Sequence, residues 1–344
     1  MATALVIGGG GQIGRLAVPA LVADGWDVRV LARDAAAHGP RVAAWGAELV
    51  VGDRHDPAVL DRALGHGVDV VVDVVAYDDT DAEPLLARRD RIGSAVVVSS
   101  AAVYVDAHGD GFETDEFGAF PLPVDEDQPT VAPGRGSYAT GKVALELAWR
   151  AAGDVPATVL RPGAIHGPGC RQPREWTFVK RVLDGRDVRV LAYDGASRFH
   201  TTSTQVLAEL VRLAAGAPGD RVLNAADPGA PTVAEIGVAV DEALGVRTRT
   251  VTVPGPPVDD VGLTPWCVPR PMVLDMSRAQ RSLGYVAPGV YAQTVRPAVE
   301  WLVEQARAGD WRAAFPGFAR MEAMGDFFPY AAEDRYLAGV ARDG

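Results

Sequence analysis

The chain has 344 residues, a net charge of −12 at pH 7, 48% hydrophobic residues and 23% charged ones. That balance is globular, and its acidic excess argues against a protein that grips a nucleic-acid backbone through clustered Lys and Arg. Two cysteines, Cys170 and Cys267, make neither a metal cluster nor a disulfide framework, which points to a cytoplasmic setting, and no apolar run approaches the ~18 residues of a membrane span.

The first element is the apolar run Ala4-Leu5-Val6-Ile7, which enters Gly8-Gly9-Gly10-Gly11 and leaves through Gln12-Ile13-Gly14-Arg15 into apolar residues at helical spacing. Strand, tight glycine turn and helix in that order place backbone N–H groups and a helix dipole in front of a pyrophosphate. Further strands are read at Trp26–Arg33, Ala47–Asp53, Val68–Val75 and Ser94–Ser100, with helices between them. Continuous valine runs mark strands buried on both faces, so the expectation is a doubly wound parallel α/β sheet, a Rossmann fold. The second strand ends Leu31-Ala32-Arg33 with no acid at its tip, and Arg15 opens the first helix; both favour NADP, with NAD as the alternative through Asp34. Asp53, after the third strand, is expected near the adenine.

Ligands of open α/β sheets bind beyond the carboxyl ends of the strands. There the fifth strand gives Val98-Ser99-Ser100-Ala101-Ala102-Val103-Tyr104, and Ser137-Tyr138-Ala139-Thr140-Gly141-Lys142 opens a helix. Tyr138 and Lys142 are four apart and share a helix face, where an ammonium draws a phenol toward neutral pKa values and readies it for proton exchange with an alcohol or ketone. Lys142 is one of only two lysines in the chain, the other being Lys180.

These segments, with Leu160-Arg161-Pro162-Gly163-Ala164-Ile165-His166-Gly167, Val222–Asp227 and Leu274–Tyr285, resemble the extended short-chain dehydrogenase/reductase family, which includes NAD-dependent epimerases and dehydratases. The resemblance runs from residue 1 to about 305 and implies a catalytic set of Ser100, Tyr138 and Lys142. It implies a cofactor held by Gly8, Gly11, Gln12, Ile13, Gly14, Arg15, Arg33, Asp53, Val75, Ala76, Ser99, Tyr138, Lys142, Pro162, Gly163 and Ile165. Substrate contacts are expected from Ala101, Ala102, Tyr104, His166 and Arg198.

Departures narrow the reading. Ala101 and Ala102 stand where dehydrating members carry acids, Ala164 stands for a usual asparagine, and Gln205 for a usual aspartate. The expected activity is therefore hydride transfer between NADP and a small-molecule ketone or alcohol. The alternatives are sugar epimerisation through a transient ketone, and a non-catalytic nucleotide-sensing or RNA-binding role. Residues 105–137 are rich in Gly, Pro and acids and read as a solvated loop or a lid over the substrate. Beyond Gly169 the rhythm loosens into a smaller lobe with helices at Glu175–Leu183, Val233–Leu244 and Val290–Ala306, and an aromatic tail from Trp311. The dinucleotide domain is expected over 1–166 plus about 203–227, and the substrate lobe over 167–202 plus 228–344. No metal, nucleic acid or membrane partner is expected; the resemblance implies a possible homodimer.

Overall fold

A computed structural model describes residues 1–343, and the chain forms two compact units. The first comprises Met1–Gly163, Thr204–Ala226 and Leu274–Pro288. It runs β1 (Thr3–Ile7), α1 (Gly14–Ala23), β2 (Asp27–Ala32), α2 (Ala35–Ala44), β3 (Glu48–Val51), α3 (Pro57–Leu64), β4 (Val70–Asp73), α4 (Asp79–Leu86), β5 (Ala95–Val98), α5 (Tyr138–Arg150) and β6 (Ala157–Pro162). The helix Thr204–Gly216 and the strand Arg221–Ala225 return to complete it. All seven strands are parallel, with Arg221–Ala225 at one edge followed by β6, β5, β4, β1, β2 and β3. The order reverses between β1 and β4, so the glycine loop leaves β1 at the crevice where such sheets take ligands.

The valine runs behave as buried strands should: every residue of β4 and β5 is buried. Leu5, Leu60, Leu64, Leu85, Val97 and Trp149 share one apolar core. Strand ends are trimmed by side chains. The expected strand 68–75 stops at Asp73, whose Oδ1 accepts the amides of Val75 and Ala76 and turns the chain. The expected strand 94–100 stops at Val98, because Ser100 caps a short 3-10 turn, residues 101–103.

Residues 274–288, expected in the substrate lobe, cluster with the first unit. Asp275 explains this: its amide donates to the Val124 carbonyl at 2.8 Å and its carbonyl accepts from Asn224 Nδ2 at 3.1 Å. The loop 105–137 contains no helix and no regular strand, yet several of its acids are anchors rather than solvated charges. Buried Asp106 accepts amides of His108, Asp110 and Ala119, and buried Glu126 accepts the Asn224 amide.

The second unit comprises Ala164–Ser203, Asp227–Val273 and the chain from Gly289 on. Two small parallel sheets pair Ala164–His166 with Thr201–Ser203 and Val188–Leu191 with Arg249–Thr252. The helix Val233–Leu244 starts on a Thr232/Glu235 capping box and ends at Gly245, whose φ of +70° suits glycine. The single helix expected over 290–306 is two, Tyr291–Thr294 and Arg296–Ala308. Pro297 lacks the amide that would continue the first and sits comfortably in the first turn of the second. The aromatic tail is core: Phe315, Phe318 and Phe327 are fully buried, and Arg181 pairs with buried Glu333 at 2.7 Å. Among the described residues no helix is long and apolar enough to cross a membrane.

Candidate active site

The glycine loop is dictated by close approach. Gly8 sits at φ +81°, and a Cβ on it would strike Val75. A Cβ on Gly14 would lie 2.0 Å from the Gly9 carbonyl oxygen, so the first turn of α1 rests directly on the loop backbone. The amides of Gly8 and Gly11 are used within the fold, on Leu31 and Gly8 carbonyls at 3.0 and 2.9 Å. Ile13 precedes α1 and no side chain caps the helix there, which leaves its amide end without an anion of the protein's own.

Three observations test whether a dinucleotide fits. Gln12 Nε2 and Arg15 Nε are buried donors with no hydrogen-bond partner among the described residues. Arg41, on α2, donates to the Gly10 carbonyl at 3.5 Å and stands near Arg15; burial first, and then the Arg41 charge, lower the Arg15 pKa. Among the described residues no carboxylate pairs with either arginine. Asp34, the acid closest to the tip of β2, accepts the Ala37 amide at 2.9 Å and so caps α2. Arg33 and Asp53 are exposed, and Asp53 accepts the His55 amide within its own loop. The residues fit an anionic dinucleotide, and Arg41 adds a second basic group beside Arg15.

Tyr138 is the first residue of α5, which Ser137 and Thr140 cap reciprocally. Glu113 of the acidic loop adds a carboxylate to that end, accepting the Ala139 amide at 2.9 Å. One turn on, Lys142 is buried, and its Nζ donates to the Ala76 carbonyl at 2.5 Å and the Val98 carbonyl at 3.0 Å. The same Nζ lies 5.5 Å from the centre of the Tyr138 ring. Burial brings the Lys142 pKa down to about 8, against the pull of Asp73, Asp81 and Glu146. Tyr77 packs its ring on Tyr138, with centroids 5.5 Å apart. The turn that Ser100 opens packs against α5, and Ser100 Oγ accepts the Ala102 amide at 3.1 Å, which leaves its proton to donate. Ala76 and Ala101 are buried, Ala102 half-buried, and Val75 exposed beside Gly8.

Other expected residues are committed elsewhere. Ser99 is buried and donates to Glu146 Oε1 at 2.5 Å, while Arg161 holds the same carboxylate at 2.6 Å. Tyr104, expected at the substrate, is fully buried; its hydroxyl donates to Asn224 Oδ1 at 2.7 Å, Arg161 covers its ring, and burial pushes its pKa up. Pro162 is buried and Gly163 donates to the Ala225 carbonyl at 3.3 Å. Ile165, His166 and Arg198 lie in the second unit. There His166, also expected at the substrate, is 1% exposed, with Nε2 2.8 Å from Asp227 Oδ2. Burial lowers its pKa, but Asp227 more than offsets that and favours the protonated imidazole. Arg198 donates to the Ala230 carbonyl.

The profile described as the NAD dependent epimerase/dehydratase family matches residues 4–201. A ceramide reductase of Caulobacter vibrioides is 34% identical over 164 residues, covering 48% of this chain and 46% of its own, so the chain spans about half of that relative. A Stigmatella aurantiaca ketoreductase, of 4-hydroxy-2-methyl-3-oxo-4-farnesyl-3,4-dihydroquinoline-1-oxide, is 29% identical over 329 residues, 84% of this chain and 93% of its own. Among solved structures, a Thermotoga maritima UDP-glucose 4-epimerase with UDP-glucose superposes with a TM-score of 0.67 at 19% identity, covering 88% of this chain and 99% of that one. A Bacillus anthracis dTDP-glucose 4,6-dehydratase in complex with NAD gives 0.65 at 18%, covering 89% and 98%. These two share the fold.

Proposed function

The chain belongs to the NAD-dependent epimerase/dehydratase family, and from that premise we propose that it reduces the carbonyl of a small molecule with NADPH, through Tyr138, Lys142 and Ser100. The observation that carries the reading is the buried Lys142 ammonium, held by two backbone carbonyls beside the Tyr138 ring. A cation so placed favours the phenolate, and it acts strongly where water is excluded. In the reductive direction Tyr138 gives its proton to the carbonyl oxygen as that oxygen gains charge, and Ser100 donates a hydrogen bond to the same atom. Lys142 stabilises the phenolate left behind, and its third N–H remains for the cofactor's ribose. The nicotinamide supplies the hydride when bound. Gly8, Gly11, Gln12, Ile13 and Gly14 would receive the pyrophosphate, and Arg15 and Arg41 the 2′-phosphate.

Two features support NADP over NAD: the paired guanidiniums, without a carboxylate partner among the described residues, and the capping role that occupies Asp34. The relatives support net reduction over epimerisation, since both are named reductases. Their named compounds, a ceramide and a farnesylated quinoline oxide, carry long apolar chains, so the substrate class we favour is a ketone on such a chain. The test is to release bound nucleotide by denaturation, identify it by mass, and titrate the stripped protein with NADPH and NADH. NADPH should bind at least about tenfold tighter, as expected for one phosphate held by two guanidiniums, and Arg41→Ala should close the gap. NAD retained through purification, with no preference for NADPH, would contradict the reading.

A further inference from the structure

The Ala76 carbonyl that holds Lys142 belongs to a loop, residues 74–78, which is fixed from behind by two residues outside the expected site. Asp73 is completely buried at the end of β4. Arg54, from the loop after β3, grips it with both arms of its guanidinium, Nη1 to Oδ1 at 3.0 Å and Nη2 to Oδ2 at 2.5 Å. The same Nη2 reaches across to the Asp81 carbonyl at 2.7 Å, and Asp81 Oδ2 accepts the Tyr77 amide at 2.6 Å. Arg54 therefore staples both ends of the loop. Inside the staple, Asp73 Oδ1 accepts the Val75 amide at 3.2 Å and the Ala76 amide at 3.0 Å, which aims the Ala76 carbonyl at Lys142 Nζ. The loop lies hard against α5: a Cβ on Gly141 would come within 3.2 Å of Asp78 Cβ and 3.3 Å of the Tyr77 carbonyl oxygen.

The charges around Lys142 come from every element packed on it. Tyr138 and Glu146 share its helix, Asp73 ends β4, Asp81 lies on α4, and Arg54 faces it from the β3–α3 connection. After burial, Asp73 has the largest influence on the Lys142 ammonium, and it favours the charged form. A lysine ammonium out of water needs such a counter-charge to remain protonated.

We propose that Asp73, clamped by Arg54, is a positioning residue for Lys142, fixing the place and the charge of its ammonium by way of the Ala76 carbonyl. Asp73 touches no reacting atom; it acts only through Lys142. The inference rests on Lys142 belonging to the active site, but its test needs no turnover.

The chain has only two lysines, so protein labelled with ¹⁵N at lysine Nζ gives two side-chain signals, assigned with Lys180→Arg. Their titration midpoints are compared in the wild type and in Asp73→Asn, which keeps an oxygen for the loop amides and removes the charge. The Lys142 midpoint should fall by about one pH unit, a tenfold loss of proton affinity, with Lys180 unmoved. An unchanged midpoint would overturn the proposal, as would a rise toward the value of a solvated lysine, which would mean that Asp73 merely holds the loop shut. Asp73→Asn leaves Arg54 with Asp81 as its remaining ion-pair partner, 3.6 Å away; should that variant not fold, Asp73→Asn/Arg54→Gln removes both charges and should still show a smaller fall. Failure of the catalytic reading would look different: Tyr138→Phe would leave turnover intact while the Lys142 midpoint still responded to Asp73.

Discussion

Lys142 is the residue on which the chemistry and the cost of the site meet. Burial lowers its pKa from 10.5 to about 8, so the folded chain gives up this proton before the unfolded chain does. Between those two values the unfolded state binds the extra proton, and stability therefore rises with pH across the window. Compared with Lys142→Met, the wild type should gain up to about 3 kcal/mol between pH 7 and pH 10.5, at 1.36 kcal/mol per pKa unit. Urea unfolding of both proteins at the two ends of the range measures this; a constant difference would show that the lysine is not held charged in a dry place. The chain thus keeps a charged group where an apolar one would fit more easily, a cost that the proposed role of Lys142 explains.

At the scale of elements, the first turn of α1 and the glycine loop form one rigid unit. Gly14→Ala would drive a Cβ into the Gly9 backbone, which cannot step aside as a side chain could. We expect a loss of about 3 kcal/mol of stability together with the loss of dinucleotide binding, read by thermal unfolding with and without NADPH; a variant that bound NADPH normally would refute the packing argument. The strand-loop-helix order was legible in the sequence because glycine and hydrophobic periodicity are local signals. So were the valine strands and the face shared by Tyr138 and Lys142. The side chains behind the site were not legible, since Arg41, Arg54 and Asp73 act through partners tens of residues away. Glu146 could have been found: it continues the four-residue spacing of Tyr138 and Lys142, and it anchors Ser99 and Arg161. The strand-end positions of Tyr104 and His166 say nothing of which way their rings turn. Both turn into the protein: the Tyr104 hydroxyl is held by Asn224 and His166 Nε2 by Asp227.

For the whole molecule, a parallel sheet with its glycine loop at the switch point supplies the frame, and the family supplies the chemistry. Net reduction differs from epimerisation in one respect that can be observed directly: in reduction the cofactor's hydride stays in the product. The decisive measurement is transfer of deuterium from NADPH labelled at nicotinamide C4 to a long-chain ketone, or to the farnesylated quinoline oxide itself, with the product examined by mass spectrometry. The wild type should yield an alcohol carrying one deuterium and Tyr138→Phe none, although that variant still binds NADPH. Equal transfer by Tyr138→Phe, or a wild type that binds NADPH and transfers no deuterium to any ketone offered, would contradict the proposed reduction.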